Sequence, residues 1–364
     1  MLTMLTMLLI HLLLLPLAWM AGTRIRQGPA GRRLGEVALA VAAMGLLIVG
    51  VAVVTLDVGP VFFGMLQALA WVLFVYVPGL LAVGAVSASG VLRAACVAGA
   101  VMLAGIGVDA VFIEPFALQE RRVTLALDGL SEPLRVVLLA DIQTHSVGDY
   151  EARALTLAAD AKPDLLLFAG DYIQAESPEV VAEQRARLSQ ALVDSGLAPR
   201  LGAFGVEGDV DRPGWQDALL GVHTVSSQKP VMVVGAGELR LVMLDLETSR
   251  MPLEPGVLDP EDGRPTIVLG HRPDYSLGLA DAGPDTLMLA GHTHGGQVRL
   301  PGLGPLVTFS RVPRDQARGV TRLPGGAHLV VSAGVGLERS TAPRLRFFCP
   351  PEVWVLDLVP AQAP

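Results

Sequence analysis

Apolar positions fall along the chain in two different regimes. Up to about residue 113 they form long, almost uncharged stretches at 2–22, 37–56, 61–86 and 94–113, each about the 20 residues that a helix needs to cross a bilayer. Four transmembrane helices are expected, with Pro16 and Pro78 tolerated inside them. Trp19, Trp71 and Tyr76 stand where interfacial aromatics would. From residue 122 onward the apolar runs shorten. Runs at 134–140, 164–169, 200–206, 231–235, 239–244, 266–269, 286–290, 328–332 and 353–358 have the length and composition of buried strands. The stretches 150–162 and 177–195 read as amphipathic helices, the second with Ser177 as its cap. A β-α-β opening followed by many strands predicts an α/β fold, two sheets flanked by helices. The chain thus divides into a transmembrane region, 1–114, and a second domain, 115–364.

Charge fixes the orientation. Of the 27 basic and 35 acidic residues, five and four lie in 1–115, leaving 22 and 31 for the rest. An acidic domain is a poor partner for nucleic acid, whose phosphates require a basic face. Arg24, Arg26, Arg32 and Arg33 fall between the first two apolar stretches, and Arg93 between the third and fourth. By the positive-inside rule both loops are cytoplasmic. The first stretch lacks a basic leader and a clear cleavage site, so it reads as a retained helix. Four crossings then place the second domain on the extracytoplasmic side of the inner membrane, joined by a short connection, 114–122. Cys96 and Cys349 lie in different regions and imply no disulfide.

The chemistry is concentrated where the strands stop. In 286–297 an apolar run ends at Gly291 and is followed by His292 and His294 on a glycine-rich turn. Imidazole is the commonest side-chain ligand for divalent transition metals. The other strands hand over residues of the same kind: Asp141 and Gln143 after Ala140, Gly170-Asp171 after Ala169, Gly208-Asp209-Val210-Asp211 after Val206, and Gly270-His271 after Leu269. Each alone could be a turn or a cap, as Asp149, Asp160 and Asp274 are read to be. Five in succession, mixing carboxylate and imidazole, point to a site for Mn, Fe or Zn at one sheet edge.

These motifs resemble those of the calcineurin-like metallophosphoesterases, in their membrane-attached bacterial branch. The resemblance covers about residues 122–360 and rests on D-x-Q where the family has D-x-H, then G-D, G-D-V-D for G-N-H-D, G-H and G-H-T-H-G-G-Q-V-R-L-P. The tail from Gly334-Val335-Gly336 to Pro351-Glu352 adds to it. It implies a four-layer α/β/β/α sandwich with two divalent metals bridged by Asp171. Asp141, Asp171 and His294 would hold the first, with Gln143 at the place of a fourth ligand. Asp171, Asp209, His271 and His292 would hold the second. Asp171, Asp209 and His271 are the implied catalytic ligands.

Three departures bear on function. Gln143 replaces a histidine ligand and shifts preference toward harder ions, Mn above all. Asp209 replaces an asparagine. Val210 replaces the histidine thought to protonate the leaving group, and valine cannot do so. His145, close to Asp141 in sequence, reads as a solvent-facing loop residue rather than a substitute, and His223 and His328 receive no role. Arg272 either contacts a substrate phosphate or pairs with Asp274. The expected function is a membrane-anchored phosphohydrolase that cleaves phosphoester or pyrophosphate bonds of a small or lipid-linked substrate with metal-activated water. The apolar loop 298–309, just after the metal turn, favours a lipid-linked substrate, but it could equally be packed core or a rest for the domain. The alternative, from another class, is a catalytically silent metal-binding or sensory module of the same fold.

Overall fold

The structure, a computed structural model, describes residue 23 and residues 30–55, 59–225, 231–258 and 263–361. The described residues divide into two compact units, one up to Ile113 together with Glu338–Leu345, the other Glu114–Leu337 together with the chain from Arg346 onward.

In the first unit α1 spans Ala30–Val54, α2 Gly59–Trp71, α3 Val77–Ser87 and α4 Gly90–Val108. A π-helical turn, Val72–Tyr76, joins α2 to α3 just before Pro78, where the missing proline N–H disturbs regular helix bonding. The described residues thus contain three helices long and apolar enough to cross a membrane: Gly35–Val54, Val61–Ser87 and Gly90–Phe116. They match three of the four expected spans. The other, 2–22, lies outside the described residues.

The second unit is a sandwich of two six-stranded sheets. Its elements run β1 (Gln119–Leu127), β2 (Leu134–Leu139), α5 (Asp149–Asp160), β3 (Leu165–Phe168), α6 (Pro178–Asp194), β4 (Ala203–Gly205) and β5 (His223–Thr224). They continue with β6 (Val231–Ala236), β7 (Leu239–Leu244), α7 (Leu246–Ser249), β8 (Thr266–Leu269), β9 (Thr286–Ala290), β10 (Arg299–Leu300), β11 (Gly304–Pro305), β12 (Gly319–Arg322), β13 (His328–Val331) and β14 (Glu352–Pro360). One sheet has the order β1-β14-β2-β3-β4-β5, the other β12-β13-β9-β8-β7-β6. Inside each sheet the central strands are parallel: β2 through β5 in the first, β7, β8, β9 and β13 in the second. Strands buried on both faces need no polar alternation, which is why β3, β8 and β9 are nearly continuous apolar runs and β2 is broken only by Arg135.

The facing sides of the sheets share one core, in which Val136, Leu138, Leu165 and Leu167 meet Leu241, Met243, Ile267, Leu269, Leu287 and Leu289. On the outside of the first sheet, α5 and α6 contribute Ala154, Leu155, Ala158, Val181 and Leu188 against Val137, Leu139, Leu166 and Phe168. The outside of the second sheet is covered thinly, by Leu253, Tyr275, Leu279 and Leu323 from short turns and loops. The four layers are therefore present, with the last built from one-turn helices instead of long ones.

One expectation needs correction here, and one of the readings left open for the loop 298–309 falls away. Residues 114–122 are not merely a connection, since β1 begins at Gln119 and pairs in parallel with β14 through Leu127↔Pro360. Its first four residues are polar and exposed, as an edge strand allows, and so carry no apolar signal. The loop 298–309 is not packed core: it contains the small hairpin β10–β11, and Leu303, Leu306 and Phe309 are exposed.

Candidate metal centre

Because the central strands of each sheet run in parallel, their carboxyl ends deliver successive turns to one edge. Five of the seven expected ligands there have left-handed backbone: Asp141 (φ +48°), Gln143 (+34°), Asp171 (+57°), His292 (+69°) and His294 (+47°). For a residue with a side chain this costs on the order of 1–3 kcal/mol and gathers at functional sites. The turns are held in place by hydrogen bonds to one another. Asp141 N–H donates to Gly170 O at 3.0 Å and Gln143 N–H to Asp171 O at 2.8 Å. His292 N–H donates to the Asp141 carboxylate at 2.9 Å.

The side chains fall into two groups. Asp141, Asp171 and His294 bring donor atoms within 4.8 Å of one another, and so do Asp209, His271 and His292. Asp171 stands between the groups, its Oδ2 3.5 Å from His271 Nε2 in the other set. Two carbonyls set the imidazole tautomers. His271 Nδ1–H donates to Ala169 O at 2.7 Å and His292 Nε2–H to Phe309 O at 2.9 Å. The opposite nitrogens, His271 Nε2 and His292 Nδ1, then face Asp209 Oδ2 at 3.3 and 2.7 Å. Orienting one imidazole nitrogen by a carbonyl while the other faces the ion is the usual outer support of a metal site.

Electrostatics points the same way. Burial pushes the Asp141 carboxyl up to about 8, with Asp171 adding to it against His271. Burial also raises Asp171, reinforced by Asp209. Burial works to lower His271, but Asp171, Asp209 and Asp141 outweigh it and hold the imidazole at about 10. Asp209 is also raised by burial, yet the imidazoles of His271 and His292 beside it win and keep it well below the usual carboxylate range. Buried carboxylates and imidazoles that stabilise positive charge so strongly, with convergent O and N donors, fit divalent cations.

The remaining expected residues are placed as follows. Gln143 is fully buried and its amide nitrogen donates to Gln174 Oε1 at 3.0 Å. Arg272 does not pair with Asp274. Its Nε lies 3.0 Å from Asp209 Oδ2, whereas Asp274 accepts from the Ser310 hydroxyl and Arg311 N–H at 2.7 and 2.8 Å. The reason is local: Arg272 is extended ahead of the 3₁₀ turn Pro273–Gly278, while Asp274 belongs to its first turn. Val210 gives its backbone N–H to Asp171 Oδ1 at 2.9 Å. His145 is exposed, His223 packs on Phe204, and His328 is lowered by burial and Arg322; none enters either group.

Three residues to which sequence reasoning gave no role support the site. Asp211 accepts from the backbone N–H groups of Gly208, Asp171 and Tyr172 at 2.8 to 3.0 Å. Its place four residues into the Gly208 stretch could have flagged it. Arg250 Nη2 lies 2.6 Å from Asp209 Oδ1, so two guanidiniums balance that carboxylate. Nothing in the sequence near Arg250 marks it. Arg346 is fully buried and donates to Ala333, Gly336 and Cys349 carbonyls at 2.7 to 2.8 Å, holding the Gly334–Gly336 turn beside Asp141.

Gly208 tests how tightly these turns fit. A Cβ there would fall on the amide and carboxylate of Asp171. Gly208→Ala is expected to cost roughly 1–3 kcal/mol, as overpacking does, and to lower metal content by displacing Asp171. Thermal unfolding with metal analysis checks it, and a fully loaded variant would show that the contact is unimportant.

The model of the calcineurin-like phosphoesterases matches residues 134–296, which contain every residue of both groups. The chain is 30% identical over 264 residues to "Phosphodiesterase YaeI" of Escherichia coli, covering 68% of this chain and 91% of that one. It is 30% identical over 210 residues to "Uncharacterized metallophosphoesterase YkuE" of Bacillus subtilis, covering 55% and 69%. "Transmembrane protein with metallophosphoesterase domain" of Danio rerio is 26% identical over 225 residues, 56% of this chain and 48% of that one. The family that the short motifs resembled is thus the one the comparisons find, and the chain belongs to the calcineurin-like phosphoesterase family as a metallophosphoesterase.

Proposed function

We propose that the protein is a membrane-anchored, two-metal phosphohydrolase that acts outside the cytoplasm on phosphodiester or pyrophosphate bonds. The observation that carries this reading is the pair of adjoining donor groups with Asp171 between them. Asp141, Asp171 and His294, with the amide of Gln143, would hold one cation; Asp171, Asp209, His271 and His292 would hold the other. Two bound cations supply charge stabilisation on the phosphate and an acidified water. The chain's own contribution is to hold that donor set in one geometry, to fix the imidazole tautomers through Ala169 and Phe309, and to offer Arg272 to a phosphate oxygen. The carboxylate-rich set and the amide at Gln143 favour Mn. The relative named a phosphodiesterase supports an ester with two substituents, and Val210, which has no proton to give, favours an acidic leaving group such as that of an aryl ester or a pyrophosphate. Val210 also favours a second reading, a silent metal-binding module.

The test uses the full chain in detergent, with metal analysis and a panel of para-nitrophenyl phosphodiesters and monoesters. Two metals, diester hydrolysis lost on chelation and restored by Mn are expected. Two metals with no rate above that of free Mn would establish the silent module. Topology has its own test: a reporter fused after Pro364 should be active only outside the cytoplasm, and cytoplasmic activity would overturn the orientation.

A further inference from the structure

Directly after the metal turn, the segment 301–309 presents large apolar side chains to solvent: Leu303 is 71% exposed, Leu306 46% and Phe309 40%. Such a cluster on a soluble surface marks a contact. Its place in the hydrogen-bond network indicates which one. The start of the hairpin pairs with the chain near the C-terminus, where Phe347 N–H donates to Gln297 O and Arg299 N–H to Phe347 O, both at 2.9 Å. The next residue, Phe348, is itself 59% exposed. Its N–H donates to Glu114 Oε2 at 2.9 Å, and Cys349 N–H donates to the other oxygen of that carboxylate. Glu114 lies in the last turn of the apolar helix Gly90–Phe116. The exposed segment is therefore tied, through one carboxylate and one short ladder, to Glu114, the first residue of the second unit, which follows an apolar stretch of bilayer-spanning length in the chain.

Charge adds a second argument. The second domain is acidic, yet residues 298–318 hold four arginines, Arg299, Arg311, Arg314 and Arg318, and a single acid, Asp315. Arg318 is occupied by Glu352, but Arg311 and Arg314, which follow the apolar residues in the chain, are exposed. Exposed apolar side chains followed by exposed arginines suit an interface of acyl chains and anionic headgroups. The same segment reaches the chemistry, since Phe309 O accepts from His292 Nε2.

We propose that segment 301–309 rests in the headgroup region of the bilayer, and that the substrate is a phosphoester of a lipid in that same bilayer. This rests on the hydrolase reading above and names its substrate class. The bilayer would hold the ester bond beside the metal turn while its acyl chains stay in the membrane.

The experiment reconstitutes the full chain into phosphatidylcholine vesicles doped with phosphatidylglycerol. Leu303→Cys is labelled with an environment-sensitive fluorophore, and the unsubstituted protein, whose Cys96 and Cys349 are buried, gives the background. Quenching by nitroxide lipids is expected. A probe that is unquenched, whether wet or shielded by protein, overturns the proposal; shielding would identify the protein's own helices or a second copy as the occupant. Activity is read on two substrates, a diacylglycerol para-nitrophenyl phosphate in the bilayer and soluble bis-para-nitrophenyl phosphate. Leu303→Asp with Leu306→Asp should lower the first rate at least ~10-fold, as losing two buried leucines from an apolar contact allows, and leave the second unchanged. A bilayer rate in the variant that stays at the parent's, or that falls no more than the soluble rate does, overturns the lipid proposal alone, whereas a parent protein inactive on both overturns the hydrolase reading.

Discussion

Asp171→Asn is expected to abolish hydrolysis and to release at least one metal while the sandwich stays folded. The Asp171 carboxylate is nearly fully buried, belongs to one donor group and approaches His271 of the other at 3.5 Å. An amide keeps one oxygen but loses the charge that two cations would share. Losing an outer-shell partner costs a metal site about 10–100-fold, so losing a shared ligand should exceed that. Stability should change little or improve. Burial raises the Asp171 pKa above its unfolded value, which means that without metal the ionised carboxylate costs stability as pH rises past its unfolded pKa. Metal content, activity and thermal unfolding with and without Mn test this. A variant with two metals and full activity would remove the bridging role.

Val210→His should change which esters are cleaved. Val210 lies directly after Asp209 and gives only its backbone N–H to the site. With no acid from that position, rates should fall steeply as leaving-group pKa rises, so that activated aryl esters and pyrophosphates are the better substrates. General acid catalysis contributes about 10²- to 10⁴-fold, and a histidine able to reach the leaving oxygen should recover part of this for poor leaving groups only. The measurement is the slope of log kcat/KM against leaving-group pKa in saturating Mn. An unchanged slope would mean that the proton comes from elsewhere.

Much of the sandwich could be read from apolar runs because its central strands are buried on both faces. The strands placed at 134–140, 266–269 and 286–290 agree with β2, β8 and β9 to within a residue. β1 escaped because an edge strand keeps a polar face, and β5, β10 and β11 because two residues cannot establish a period. The outer cover of the second sheet was equally hidden, since one-turn elements such as α7 are too short for an amphipathic pattern.

The sequence by itself determined which residues end each strand and that carboxylates and imidazoles follow in turn. Parallel strands of alternating β and α segments must present those ends on one side, which limits where the ligands can go. The family resemblance implied how they divide, but only the tertiary structure shows what brings each group together. Asp141 and His294 meet across two sheets despite the 152 residues between them in the chain, and His271 joins Asp209 and His292 instead. That division depends on strand order, on left-handed turns whose strain is offset by bonds between loops, and on partners such as Arg250 and Asp211. None of these leaves a local pattern, because a side chain's neighbours across a packed interface are set by sheet geometry and not by its neighbours in the chain.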